Sequence, residues 1–220
     1  MNNSTTRFSD NLKMTGHFDL YVFKGDEPII SGSHIYFDKK NTQLVETYSD
    51  HNLIVNTGRA ATASSMTPLT AGGGFTIDGV RLQSNPITYL ACGDGAYGME
   101  AGKPVIDNYN DPMPPSSADS TLTHPVFMTP FSSIDFISPL SVKFTGRIPK
   151  QYTEESAALS GYFGNPEMTN PDGSPKDIEA WINEYALVLA DGATLFAKVN
   201  KKSTPKDGDL ILVVQWIINF

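Results

Sequence analysis

Residues 209–220 (DLILVVQWIINF) constrain the fold of this chain more than any other stretch: an apolar, β-branched, aromatic run interrupted by Gln215. Such a run stays out of water when it folds, so it is expected to be a core strand, and its last residues a core element. It is too short to cross a bilayer as a helix, and Gln215 breaks it. At 220 residues, the chain can bury roughly 70% of the surface its unfolded form exposes, enough for one large β domain or two small ones.

Much of the remaining sequence repeats the strand signal. Residues 16–24 (GHFDLYVFK) and 29–37 (IISGSHIYF) are joined by Gly25-Asp26-Glu27-Pro28, a turn composition that predicts an early hairpin. The apolar run Leu53-Ile54-Val55 precedes a stretch in which Ala replaces β-branched residues, and a short helix is expected over about residues 57–66, ended by Thr67-Pro68. Strand composition resumes at 75–83 (FTIDGVRLQ) and 87–92 (ITYLAC), with Gly93-Asp94-Gly95 as a tight turn. It returns again at 134–148, where Pro139 requires an edge, a bulge or a break. Residues 178–189, 194–199 and 209–220, with Asp191-Gly192 and 205–208 (PKDG) as turns, predict a three-stranded antiparallel meander. Asp177 could N-cap a helix beginning at Trp181 and Ile182, but Val188 and the Asp-Gly turn favour a strand over 186–189.

The expected fold is therefore mainly β, an antiparallel sandwich or barrel with one short helix. Its organisation is an extended N-terminal arm over residues 1–15 and a single β domain over 16–220. Proline-rich and polar stretches at about 103–125 and 161–177 interrupt that domain as two long loops.

A net charge of −8 and a pI near 4.9 weigh against a nucleic-acid partner, whose phosphates require clustered Lys and Arg. Lys198, Lys201, Lys202 and Lys206 are the closest approach to a basic patch, and they read as a solvated hairpin tip. The N-terminal stretch MNNSTTRFSDNLKM lacks the apolar segment of an export signal, so synthesis in the cytoplasm and no membrane partner are expected. Cys92 is the single cysteine, which excludes an internal disulfide and leaves a reducing compartment the simpler reading.

Candidates for chemistry are sparse. His17, His34 and His51 recur at equal intervals, yet their flanks differ and so wide a spacing gives no local ligand geometry; coincidence is the reading. His124, before Pro125, has no evident partner in sequence. Cys92 closes ITYLAC and reads as a small buried hydrophobe. Ala71-Gly72-Gly73-Gly74 lacks the Lys-Ser/Thr of a phosphate loop. Asp107, Asp111 and Asp119 lack calcium-loop spacing and read as solvated acids; Glu154-Glu155 and Glu179 with Glu184 are carboxylate pairs without a visible positioning device. No catalytic residue, cofactor or metal is assigned. Tyr109, Met113, Tyr162 and Phe163 are the candidate partner contacts: large apolar groups in irregular segments either rest on their own domain or fill a neighbour's groove.

Four ordered pieces carry a resemblance to a known class: residues 52–59 (NLIVNTGR) leading into a short helix, a strand ending ACGDG at 91–95, NEYALV at 183–188 followed by a turn and LFAK at 195–198, and the closing VVQWIINF at 213–220. In this order they resemble small structural proteins of tailed-bacteriophage virions, which commonly end in a similar Trp-x-Ile-x-Phe strand. The resemblance spans most of residues 50–220, and the two long loops look like insertions in the compact pattern. It implies a non-enzymatic subunit of tail, baseplate or collar, located in the virion, contacting other virion structural proteins and forming a homo-oligomer. The alternative from the aromatic loops on a β scaffold is a host-receptor or glycan-binding module of the virion.

Overall fold

The computed structural model describes residues 14–65, 76–77, 80–81, 86–107, 110–154, 156, 159 and 168–220. It is mainly β, built on a nine-stranded antiparallel sheet curled into a half-barrel, with a short helix. The elements in chain order are β1 (Thr15–Gly25), β2 (Ile29–Ser31), β3 (His34–Tyr36), β4 (Thr42–Ile54), α1 (Asn56–Ser65), β5 (Thr76–Ile77), β6 (Val80–Arg81) and β7 (Ile87–Gly93). They continue with β8 (Met99–Glu100), β9 (Lys103–Pro104), β10 (Pro125–Pro130), β11 (Ser133–Ser138), β12 (Ser141–Ile148), β13 (Ala180–Leu189), β14 (Leu195–Lys206) and β15 (Leu210–Asn219). The large sheet runs β10-β7-β13-β14-β4-β1-β15-β12-β11.

The sheet folds over at β4. Most of β4 pairs with β1, from Gly16 opposite Asn52 to Gly25 opposite Thr42, while Leu53 and Ile54 at its other end pair with Lys198 and Ala197 of β14. This bend brings the β1–β15–β12 side against the β7–β13–β14 side. Phe18 of β1 meets Tyr185 of β13 with ring centroids 5.1 Å apart, and Phe18 packs edge-on to Trp216 of β15 at the same separation. The core between the layers is lined by alternate residues of each strand: Phe18, Leu20 and Val22 from β1, Leu90 and Cys92 from β7, and Leu212, Val214, Trp216 and Ile218 from β15. Full burial of each large side chain contributes roughly 1.5–3 kcal/mol.

The near-continuous apolar run of β15 follows from its position. One face enters the core, and on the other Ile211 and Val213 join Phe23 beneath Ile30, Ile35 and Phe37 of the β2–β3 region. A strand covered on both faces has no reason to alternate. The small β2–β3 hairpin is held there by the Gln215 side-chain amide, which donates to the Ser33 carbonyl at 2.9 Å.

Several expectations change. The 29–37 run does not pair with β1; it carries its own turn at Gly32 and Ser33 and folds on itself, and β1 pairs with β4 instead. β4 is legible in sequence only at its end, Leu53 and Ile54, because most of its length is exposed on both faces and shows no apolar alternation. The run at 75–83 holds two two-residue strands, β5 and β6, paired with each other. The closing meander is incomplete: β13 and β14 pair through the Asp191-Gly192 turn, but β15 lies between β1 and β12, so β4 and β1 separate it from β14. A tight turn fixes a reversal of direction and leaves open whether the chain stays in its layer; at residues 207–209 it crosses to the other.

Other expectations hold. Trp181 and Ile182 lie in strand β13, α1 forms where Ala enrichment placed a helix, and Pro139 with Leu140 makes the turn between β11 and β12. The described part of the 103–125 segment carries only the two-residue β9 before β10, and its Leu122 is buried. Within the second long loop, residues 161–167 lie outside the described part, as do the Gly-rich 71–74 and most of the N-terminal arm.

Candidate functional site

The most ordered polar constellation is centred on Glu184, whose side chain is fully shielded in β13. Lys198 of β14 places Nζ 2.8 Å from Glu184 Oε1 and 3.3 Å from Asp119 Oδ2. The backbone N–H groups of Gly95, Thr123 and His124 donate to Glu184 Oε2 at 3.2, 3.0 and 3.2 Å. A register shift between Ile182 and Glu184 lets the adjacent Asn183 serve the same region. Its Oδ1 accepts from the Ala96 N–H at 2.9 Å, and its Nδ2 donates to the Asp94 carbonyl at 3.2 Å. His124 completes the group, with Nδ1 2.5 Å from Asp94 Oδ1. Burial holds the Asp94 carboxyl above the usual carboxylate range, opposed by the His124 hydrogen bond and charge.

Gly93 belongs to this construction for a reason other than a turn. A Cβ there would sit 2.4 Å from the His124 carbonyl oxygen and 3.1 Å from Glu184 Oε2, so any side chain would push the segment off its anchor. With its lone pairs directed at an ammonium and several amide N–H groups, the Glu184 carboxylate is a clamp that ties the segments at 93–96 and 119–124 to the sheet. Sequence reasoning named Glu184 only as half of a carboxylate pair; the ACGDG glycines were the signal that backbones come close here.

The lysines correct the solvated-tip expectation. β14 extends through Lys206, so Lys198, Lys201 and Lys206 lie in a strand and are buried. Lys201 reaches Glu46 Oε1 at 3.6 Å, stands 5.0 Å over the Tyr48 ring and bonds the Thr204 hydroxyl; burial lowers its pKa. Lys206 donates to the carbonyls of Asp207, Lys150 and Ile178 at 2.7, 3.3 and 3.5 Å, and burial pulls its pKa down to about 8. Lys202 alone is solvated, 3.4 Å from Asp111. Cys92 has no exposed surface, and burial pushes its thiol well up, as a packed hydrophobe requires.

His17 and His51 face each other across β1 and β4 with ring centroids 5.8 Å apart, and His17 Nε2 lies 3.1 Å from Asp19 Oδ1; His34 sits elsewhere, beside Tyr36. Among the described residues no three His, Cys, Asp or Glu side chains gather as a metal site. The loop acids go to separate partners: Asp107 accepts from Asn110, Asp111 approaches Lys202, and Asp119 joins the clamp, which removes it from the solvated acids. A half-open apolar cavity of about 110 Å³ is lined by Ala91, Leu122, Met128, Val188 and Leu195.

The exposed surface is most unusual at β11, one end of the large sheet. Ile134 and Phe136 sit opposite Phe144 and Val142 of β12, whose side chains enter the core. Paired residues share a face, so the core-facing row continues onto β11, where nothing covers it among the described residues. Phe136 is 79% exposed and Ile134 51%, with Leu140 of the following turn at 63%. The opposite edge, β10, carries Pro125 and Pro130 and is largely buried; β11 has neither Pro nor Lys to guard it. Of the contacts expected from sequence, Tyr109, Tyr162 and Phe163 lie outside the described residues. Met113 exposes its side chain while its backbone is pinned, its N–H donating to the Ala96 carbonyl and its own carbonyl accepting from Asn200 Nδ2 at 2.8 Å. In comparisons with known proteins, no family model, no curated protein and no solved structure matches this chain.

Proposed function

We propose that this chain is a non-enzymatic structural subunit of a tailed-phage virion, in the tail, baseplate or collar, made in the host cytoplasm and held by contacts with other virion proteins and with its own copies. The observation that carries the assembly part of this reading is the core-facing row on β11, uncovered among the described residues, at an edge guarded by one charge and by neither Pro nor Lys. The ordered motifs that end in VVQWIINF supply the virion part. The residues first weighed for chemistry support the same reading: Cys92 is packed in the core, and Glu184 and Asp119 are occupied in an ionic clamp with Lys198.

Mass spectrometry of purified particles from the phage encoding this chain tests the proposal. The chain is expected in multiple copies per particle. Particles that assemble with none of it would overturn the reading.

A further inference from the structure

We propose that β11 is a self-association strand: it pairs antiparallel with β11 of a second copy about a two-fold axis at Phe136, joining two nine-stranded sheets. The inference deepens the assembly reading by naming a contact between copies, and it rests on that reading only for its biological setting.

Three observations carry it. First, the contrast between the two ends of the sheet is chemical: β10 has a proline at each end, whereas β11 (SIDFIS) presents an edge with one charge. Second, the available surface can reach the low end of the size range of specific interfaces. Ile134, Phe136, Ile137, Leu140 and Phe220 leave on the order of 500 Å² of surface exposed per copy, so complete coverage of this patch in two copies sets an upper bound near the ~1,000 Å² of a specific interface. Third, the charge pattern selects the register. Pairing centred on Asp135 would set two carboxylates directly opposite each other, which is destabilising. Centring on Phe136 opposes the two rings, sets Asp135 against Ile137 of the other copy, and leaves Asp135 free to keep its bond from the Ser133 hydroxyl. The β11–β12 register shifts after Phe136, so the regular ladder is short and its side chains dominate the contact.

Light scattering and cysteine cross-linking test the proposal on the full chain. Wild-type protein is expected to form a concentration-dependent dimer. Phe136→Lys should weaken it at least ~30-fold, as loss of a central anchor does, with an unchanged circular dichroism spectrum. Phe136→Thr, which retains strand propensity, is the second variant and should weaken the dimer in the same direction. Under mild oxidation Phe136→Cys should become a disulfide-linked dimer, because directly opposed Cβ atoms lie within reach of a disulfide; Ile134→Cys, opposed to Ser138, should not. A wild-type chain that stays monomeric at ~100 μM, a dimer indifferent to both substitutions at Phe136, or equal cross-linking at the two positions would overturn it. A chain present in particles yet monomeric in solution would refute this contact and leave the virion reading standing.

Discussion

The buried ions carry the sharpest consequences of single substitutions. Glu184→Gln keeps the shape of the side chain but removes the nearer counter-charge of Lys198, leaving a shielded ammonium with Asp119 alone. Breaking one side of a buried pair costs about 3–5 kcal/mol, so urea unfolding should show a loss of that order, and Glu184→Gln combined with Lys198→Met should cost less than the two changes summed. Lys206 gives a pH signature. Its pKa is pulled down to about 8 in the fold, below its ordinary value, so between those limits the unfolded chain binds the extra proton and stability rises with pH. Relative to Lys206→Met, the wild type should therefore gain on the order of 2 kcal/mol between about pH 7 and pH 10, measured by urea titration at each pH. The tyrosines whose pKa is raised are common to both proteins and cancel in the difference. None of this was legible from lysine spacing, because a basic cluster reads as solvated unless the strand is known to continue beneath it.

Among the elements, α1 is placed by a contact that reverses the usual rule for glycine. Replacing a helical glycine with alanine ordinarily stabilises by about 0.5–1 kcal/mol. At Gly58, however, a Cβ would meet the Phe196 carbonyl oxygen of β14 at 2.1 Å, so Gly58→Ala is expected to destabilise by about 1–3 kcal/mol in thermal melts. A cost-free or stabilising Gly58→Ala would contradict the packing of α1 on β14. Strands whose two faces differ or are both buried were readable: β1 by its alternation, β15 by its near-continuous apolar run. β4 was largely hidden, because its partners supply hydrogen bonds more than an apolar seat, and β2–β3 was mistaken for the partner of β1 because the hairpin turn lay inside the run.

For the whole molecule, sequence pattern sufficed for the class of fold and not for the strand order, since layer crossings depend on which faces seek cover after all strands exist. The bend at β4 and the insertion of β15 between β1 and β12 are decisions of that kind. Deleting residues 216–220 removes Trp216 and Ile218 from the core between β1 and β12, and should give a chain with no cooperative unfolding transition. The sheet then explains the surface: curling covers the core-facing row of β12 and, among the described residues, leaves that of β11 open. Hydrogen–deuterium exchange across the monomer–dimer range of concentration tests this most directly. Amides in Ser133–Ser138 should exchange more slowly as copies associate; association with unchanged exchange there, or with protection confined to β10, would contradict it.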